Sequence, residues 1–182
     1  MSTSAYVVLG LLERHGPTTP YQLEQIIDAS IGYFWGFPRS QLYAEATRLA
    51  RHGLITEHRE RDGRRRRTLS LTDDGHRELE RWLSTTSKQP TEIRDDGLIR
   101  LFFTSGGDDG GRAVARLAEE QTRAHRQRLA EYEAIEDCLA VPPNSPQRAS
   151  LELGLRFERV AIAFWSELAE NPPSTSTARQ QD

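Results

Sequence analysis

A single cysteine, Cys138, excludes an internal disulfide in this chain of 182 residues, and with no His or Cys close to it in sequence it makes a poor zinc ligand. Packing alone must hold the fold. Lysine is almost missing as well, Lys88 being its one occurrence, so the positive charge is carried by arginine. Long apolar runs are absent: the longest near the N-terminus is the stretch from Ala5 to Leu12, too short to span a membrane and without the basic start of a secretory signal. A cytoplasmic protein with no membrane partner is the expectation. At 36% hydrophobic and 28% charged residues, the helices either carry wide polar faces or leave apolar surface for a second copy to cover.

Signatures of catalysis are also missing. No glycine-rich phosphate loop follows a strand, there is no Gly-x-Ser-x-Gly elbow, and the histidines at 15, 52, 58, 76 and 125 lack metal-ligand spacing. Asp95-Asp96 and Asp108-Asp109 are adjacent pairs whose side chains diverge on a helix, which suits solvated caps better than shared acid–base work. The expectation is therefore a non-enzyme with no cofactor and no metal.

What is present has helical rhythm. Ala5, Val8, Leu9 and Leu12 make one apolar stripe, with Ser4 as the expected N-cap and Gly16-Pro17 as the end. Thr19-Pro20-Tyr21-Gln22 combines a capping box with proline in the first helical position, opening a second helix through Leu23, Ile26 and Ile27 that Gly32 should close. The Gly- and Pro-rich segment from Gly32 to Pro38 holds four aromatics and reads as a packed loop. Leu42, Ala46, Leu49 and Ala50 define a third helix from about Arg39 to His52, stopped by Gly53. Its opposite face carries Ser40, Gln41, Ala44, Thr47, Arg48 and Arg51 without an acid, Glu45 falling at the margin.

Two short strands follow, 54–61 and 67–71, with Asp62-Gly63 as the turn between them. Arg59, Arg61, Arg64, Arg65, Arg66 and Arg67 therefore gather on one hairpin. A planar, always-charged fork suits phosphate and narrow grooves, so the cluster points to a polyanion. Thr72 caps a fourth helix with Leu79, Trp82 and Leu83 on its apolar side. Three helices, a hairpin and a helix are the winged helix-turn-helix plan, whose third helix enters the major groove of double-stranded DNA.

Beyond a linker ended by Pro90 the pattern changes. A helix near 93–103 presents Leu98, Leu101 and Phe102, and a long helix from about Arg112 to Ala140 carries a seam of Val114, Leu117, Leu129, Tyr132, Ile135 and Leu139, interrupted by Gln121 and His125. Those two polar residues fit a ligand contact, a register device or a solvated flank. Cys138 reads as inert core. The last helix, from about Pro146 to Glu170, has apolar residues on more than one face, which calls for a second subunit and hence a two-fold homodimer. The fold class expected is thus mainly α: a winged helix-turn-helix with a two-stranded wing over 1–86, a long-helix dimerisation region over 90–170, and a disordered tail over 171–182.

Several stretches resemble the PadR-like transcriptional regulators, in order along the chain. They are Val7-Val8-Leu9-Gly10-Leu11-Leu12 with Gly16-Pro17 and Tyr21-Gln22-Leu23; Gly32-Tyr33-Phe34-Trp35; Ser40-Gln41-Leu42-Tyr43, Arg48-Leu49 and Gly53-Leu54-Ile55; Leu71-Thr72-Asp73-Asp74-Gly75; and Ile93-Arg94-Asp95 with Leu98 to Phe103. Two departures stand out: Ala44 where the family often has proline, and Thr19-Pro20 where His-Gly is common. The resemblance implies a dimeric DNA-binding repressor, in some members released by a phenolic acid or a drug-like effector.

On this reading Ser40, Gln41, Tyr43, Thr47 and Arg48 contact DNA: glutamine can pair with adenine, arginine with guanine or phosphate, and hydroxyls with phosphate oxygens. Arg64, Arg65, Arg66 and Arg67 contact phosphates or a minor groove, although alternate strand residues point opposite ways. Phe34 and Trp35 have two readings, the wall of a pocket for a small aromatic effector and structural packing. The rival function is a protein-interaction adaptor that keeps the winged shape without binding DNA.

Overall fold

The computed structural model describes residues 1–59, 67–88, 90–105, 108–138 and 142–173. The chain divides into two compact units, Met1–Pro90 and Thr91–Asp182.

In the first unit, α1 spans Thr3–His15, α2 Pro20–Asp28, α3 Arg39–Arg51, β1 Ile55–Arg59, β2 Arg67–Leu71 and α4 Asp73–Leu83. The cap of α1 is Ser2, whose Oγ accepts the Ala5 amide at 3.2 Å, not the expected Ser4; Ser4 lies two residues further on, inside the first turn and buried. The helix begins at Thr3, ahead of the apolar stripe from which the cap was read. The capping box of α2 forms as read, with the Gln22 amide donating to Thr19 Oγ1 at 3.2 Å and the Thr19 amide to Gln22 Oε1 at 3.1 Å. That helix stops at Asp28, short of Gly32, which sits instead in a 3₁₀ turn over Ile31–Tyr33. A Cβ on Gly32 would lie 2.8 Å from the Ile27 carbonyl oxygen, so the glycine is needed for close approach rather than as a helix stop.

After α3 the chain turns at Gly53, whose φ of 70° is open to glycine, and the Leu54 amide returns to the Leu49 carbonyl at 3.0 Å. The turn feeds β1, which pairs antiparallel with β2 in the register Ile55↔Leu71, Glu57↔Leu69 and Arg59↔Arg67. Thr18, just before α2, exchanges two backbone hydrogen bonds of 2.9 Å with Leu69, so the start of α2 is fastened to β2. The core beneath is one cluster: Val8, Leu9 and Leu12 of α1, Leu23 and Ile27 of α2, Leu42, Ala46 and Leu49 of α3, with Ile55, Leu69 and Leu79. Each of its large side chains contributes about 1.5–3 kcal/mol on burial. Trp82 stays partly exposed, stacked on Tyr6 with ring centroids 4.6 Å apart.

The second unit is helical: α5 spans Asp96–Phe103, α6 Asp108–Cys138 and α7 Pro146–Glu170. Asp95 caps α5 by accepting the Gly97 and Leu98 amides at 2.7 and 3.2 Å. Glycines at 110 and 111 do not break α6, which starts at Asp108, four residues before the expected Arg112. Contacts of Glu136 with Arg148, of Tyr132 beside Gly154, and of His125 with Glu158 show that α6 and α7 run antiparallel. His125 Nδ1 lies 2.6 Å from Glu158 Oε2, both side chains mostly buried, so this histidine is an internal partner of α7 rather than a solvated flank. Leu151, Leu155 and Trp165 bury one side of α7. The other side presents Leu153, Phe157, Val160 and Phe164, at spacings of four, three and four and each 45–69% exposed. No helix among the described residues is long and apolar enough to cross a membrane. The Cys138 side chain, Leu139 and residues 174–182 lie outside the described residues.

Candidate nucleic-acid interface

The surface of α3 divides into three strips. Leu42, Ala46 and Leu49 face the core. Ser40, Tyr43, Thr47 and Arg51 are exposed and follow one another at spacings of three or four, with exposed Ala44 beside Tyr43, so they share one outward strip. Between the two lie Gln41, Glu45 and Arg48, engaged with the beginning of α1. Gln41 Nε2 donates to Ser4 Oγ at 2.7 Å, while Glu45 accepts Ser2 Oγ at 2.5 Å and Arg48 Nε at 2.8 Å. Glu45 is thereby neutralised and turned inward, leaving the exposed strip without an acid. Of the five α3 residues singled out from sequence, the structure puts Ser40, Tyr43 and Thr47 on that strip and ties Gln41 and Arg48 to the protein itself. Arg51 extends the strip by a turn; helical periodicity alone was enough to find it.

At the base of the hairpin, Arg59 and Arg67 sit directly across from each other, and Glu57 separates their charges. Glu57 accepts Arg59 Nε at 2.7 Å, and its second oxygen lies 2.8 Å from an Arg67 terminal nitrogen. The Arg59 hydrogen bond, helped by the Arg67 charge, holds the Glu57 carboxyl below its ordinary range. Arg61, Arg64, Arg65 and Arg66 lie outside the described residues.

Phe34 and Trp35 are not packed as expected for that loop: they are 68% and 38% exposed, and Phe37 is the aromatic there that packs against the core. The loop is held through its backbone, the Trp35 amide donating to the Ile31 carbonyl at 2.9 Å, which frees the rings from a packing role. Among the described residues no three of His, Cys, Asp and Glu gather as metal ligands.

A helix-turn-helix head with a two-stranded wing, followed by long helices, defines the class of winged-helix transcriptional regulators. Residues 8–81 match the transcriptional regulator PadR-like family, and residues 93–171 match the virulence activator alpha C-terminal family. Residues 8–81 thus carry a PadR-like family domain. It is 31% identical over 107 residues to the negative transcriptional regulator PadR of Bacillus subtilis, a match covering 58% of each protein. To the probable transcriptional regulator Rv1176c of Mycobacterium tuberculosis it is 28% identical over 173 residues, 82% of this chain and 87% of that one. Its fold superposes on B. subtilis PadR in complex with operator DNA with a TM-score of 0.78 at 24% identity, covering 93% of this chain and 98% of that one. The same relative has also been solved in complex with p-coumaric acid, with a TM-score of 0.73 at 23% identity and 91% and 96% coverage.

Proposed function

We propose that this regulator binds a pseudo-palindromic operator as a homodimer and represses the promoter it covers. The observation that carries this reading is the acid-free strip Ser40, Tyr43, Thr47 and Arg51 on α3, beside a hairpin whose base already bears Arg59 and Arg67. Tyr43 and Ser40 offer hydroxyls to phosphate, and Thr47 and Arg51 face the groove. Gln41 and Arg48 join them by exchanging Ser4, Glu45 and Ser2 for DNA. Arg64, Arg65, Arg66 and Arg67 supply wing contacts to the adjacent backbone or minor groove. In the dimer, residues 1–86 read DNA and residues 90–170 assemble the pair, setting third helices about 34–36 Å apart.

Such a protein works in the cytoplasm, beside the chromosome, and not as an enzyme. Release by an aromatic effector is supported by the exposed rings of Phe34 and Trp35, which offer flat surfaces to a planar ligand, and by the p-coumaric acid complex of the B. subtilis relative. Such a ligand acts by favouring a dimer whose heads are spaced wrongly for DNA.

A gel shift with the DNA flanking its own gene tests the reading, followed by affinity measurements on Arg65→Ala and Arg66→Ala across salt concentrations. Each variant should lower the salt slope by about 1. An unchanged slope in both removes the wing from the mechanism, and indifference to every duplex at low salt leaves the adaptor reading in its place.

A further inference from the structure

The beginning of α1 grips α3 at two levels. Ser4 Oγ accepts the Gln41 amide at 2.7 Å, while Ser2 Oγ donates to Glu45 at 2.5 Å and accepts the Ala5 amide and an Arg48 terminal nitrogen, each at 3.2 Å. Ser2 has thereby spent its one hydrogen and both lone pairs. Ser4 is only 3% exposed, and the helix that carries it is fixed from two sides: Ala5, Val8, Leu9 and Leu12 lie in the core, and the Tyr6 hydroxyl donates to Glu78 of α4 at 2.8 Å. The anchor therefore cannot follow a departing partner. Gln41, by contrast, is half-buried and lies three residues before exposed Ala44, so rotation of its side chain alone carries the amide from Ser4 to the outward strip. That departure leaves a buried hydroxyl without its partner, which makes it costly.

We propose that Ser4 is a positioning residue that holds Gln41 away from DNA in the free protein, an autoinhibitory latch that operator binding has to open. The latch rests on the DNA-binding reading above and gives the side chain best suited to adenine a closed resting state. On unrelated DNA the exposed strip of α3 meets the duplex with the latch shut, and nothing is lost by leaving it so. At a site that offers adenine to Gln41, two hydrogen bonds to the base replace the single bond to Ser4. The cost of opening is subtracted from operator affinity alone. A buried serine of α1 thus sets how tightly the operator is held and how far it stands above other DNA.

The test uses the full chain and two fluorescein-labelled duplexes, the one that shifts from the DNA flanking its own gene and one unrelated, with melting temperature measured to confirm folding. Ser4→Ala removes both the bond and the hydroxyl it would strand, so it should raise affinity for the operator duplex about three- to tenfold and leave the unrelated duplex and the salt slope unchanged. A tie that merely shaped α3 would lower affinity when cut. Gln41→Ala and the double variant close the cycle: Gln41→Ala should cost operator affinity about three- to tenfold more in the Ser4→Ala protein than in the parent, because only there is the glutamine free to bind without first letting go. Operator affinity of Ser4→Ala at or below that of the parent overturns the latch and leaves the DNA-binding reading standing. A gain that persists with alanine at 41, or that is equal on both duplexes, also overturns it, since the gain then does not come from glutamine reading a base. Failure of the parent to bind any duplex removes the DNA-binding reading and the latch together.

Discussion

Arg48 and Glu45, one turn apart on α3, are paired through two guanidinium nitrogens that both lie 2.8 Å from one carboxylate oxygen. Arg48 is one-third exposed but Glu45 is mostly buried, so the pair holds Arg48 in the free protein more firmly than the about 0.3–0.5 kcal/mol of a fully exposed pair at this spacing. Arg51, a turn further on, has no ion-pair partner among the described residues. Arg51→Ala should therefore cost about tenfold in operator affinity and about 1 in salt slope, and Arg48→Ala less than about threefold. Fluorescence anisotropy at several salt concentrations measures both; equal losses would show that the Arg48–Glu45 pair opens fully on DNA.

Glu57 lies between Arg59 and Arg67 and cancels part of the charge that the hairpin base offers to a polyanion. Glu57→Gln keeps the shape and removes the negative charge. Operator affinity should rise by about three- to tenfold, with a steeper salt dependence. Unchanged affinity in the same titration would place both arginines away from DNA.

His76 of α4 lies 3.0 Å from Glu13 of α1 and 3.2 Å from Glu80 on its own helix. The Glu13 hydrogen bond, with the charges of Glu13 and Glu80, raises its pKa above the ordinary value of 6.5. A raised histidine contributes stability that is fully present below the unfolded value and is lost as pH rises through the folded one. His76→Gln should consequently lower the melting temperature at about pH 5.5 and have little effect at about pH 8. Thermal melts of both proteins across that range decide it, and a gap that widens with pH would refute it.

Gly75 opens α4, where helix propensity alone predicts that alanine stabilises by up to about 1 kcal/mol. Space decides otherwise. A Cβ there collides with the Leu54 carbonyl oxygen and lies 2.7 Å from a Leu71 methyl group, and the Leu54 carbonyl also accepts the Thr72 amide. Gly75→Ala should destabilise the protein by about 2–3 kcal/mol in urea unfolding.

The outer strip of α7, Leu153, Phe157, Val160 and Phe164, is as apolar as its buried side. If a second copy covers it, Val160→Glu should raise the dimer dissociation constant at least about tenfold. Analytical ultracentrifugation reads the shift, and an unchanged dimer would place the interface elsewhere.

Local chemistry made much of the fold legible before any coordinates. The Thr19–Gln22 box, the Gly53 turn and the Thr72 cap act within a few residues of themselves, and each forms where the sequence put it. Errors arose where a helix began ahead of its apolar stripe, as with Ser2 capping in place of Ser4, or where a glycine served close approach rather than a helix end, as with Gly32. The candidate interface was only half readable. Periodicity placed Ser40, Tyr43 and Thr47 outward, but the ties of Gln41 to Ser4 and of Arg48 to Ser2 span 37 and 46 residues and follow from how α1 packs on α3. The fastening of α2 to β2 depends likewise on Thr18 meeting Leu69 across the chain.

The exposed strip of α3 and the apolar strip of α7 fall in different compact units, with the division at Pro90–Thr91. Selection can therefore act on them separately. Lineages can change which bases a head prefers by altering α3 while keeping the same partner, and can lengthen or re-register the rods to suit a new operator spacing while keeping the same reading residues. Duplicated copies of such a gene diverge most easily by drifting along one of these axes at a time.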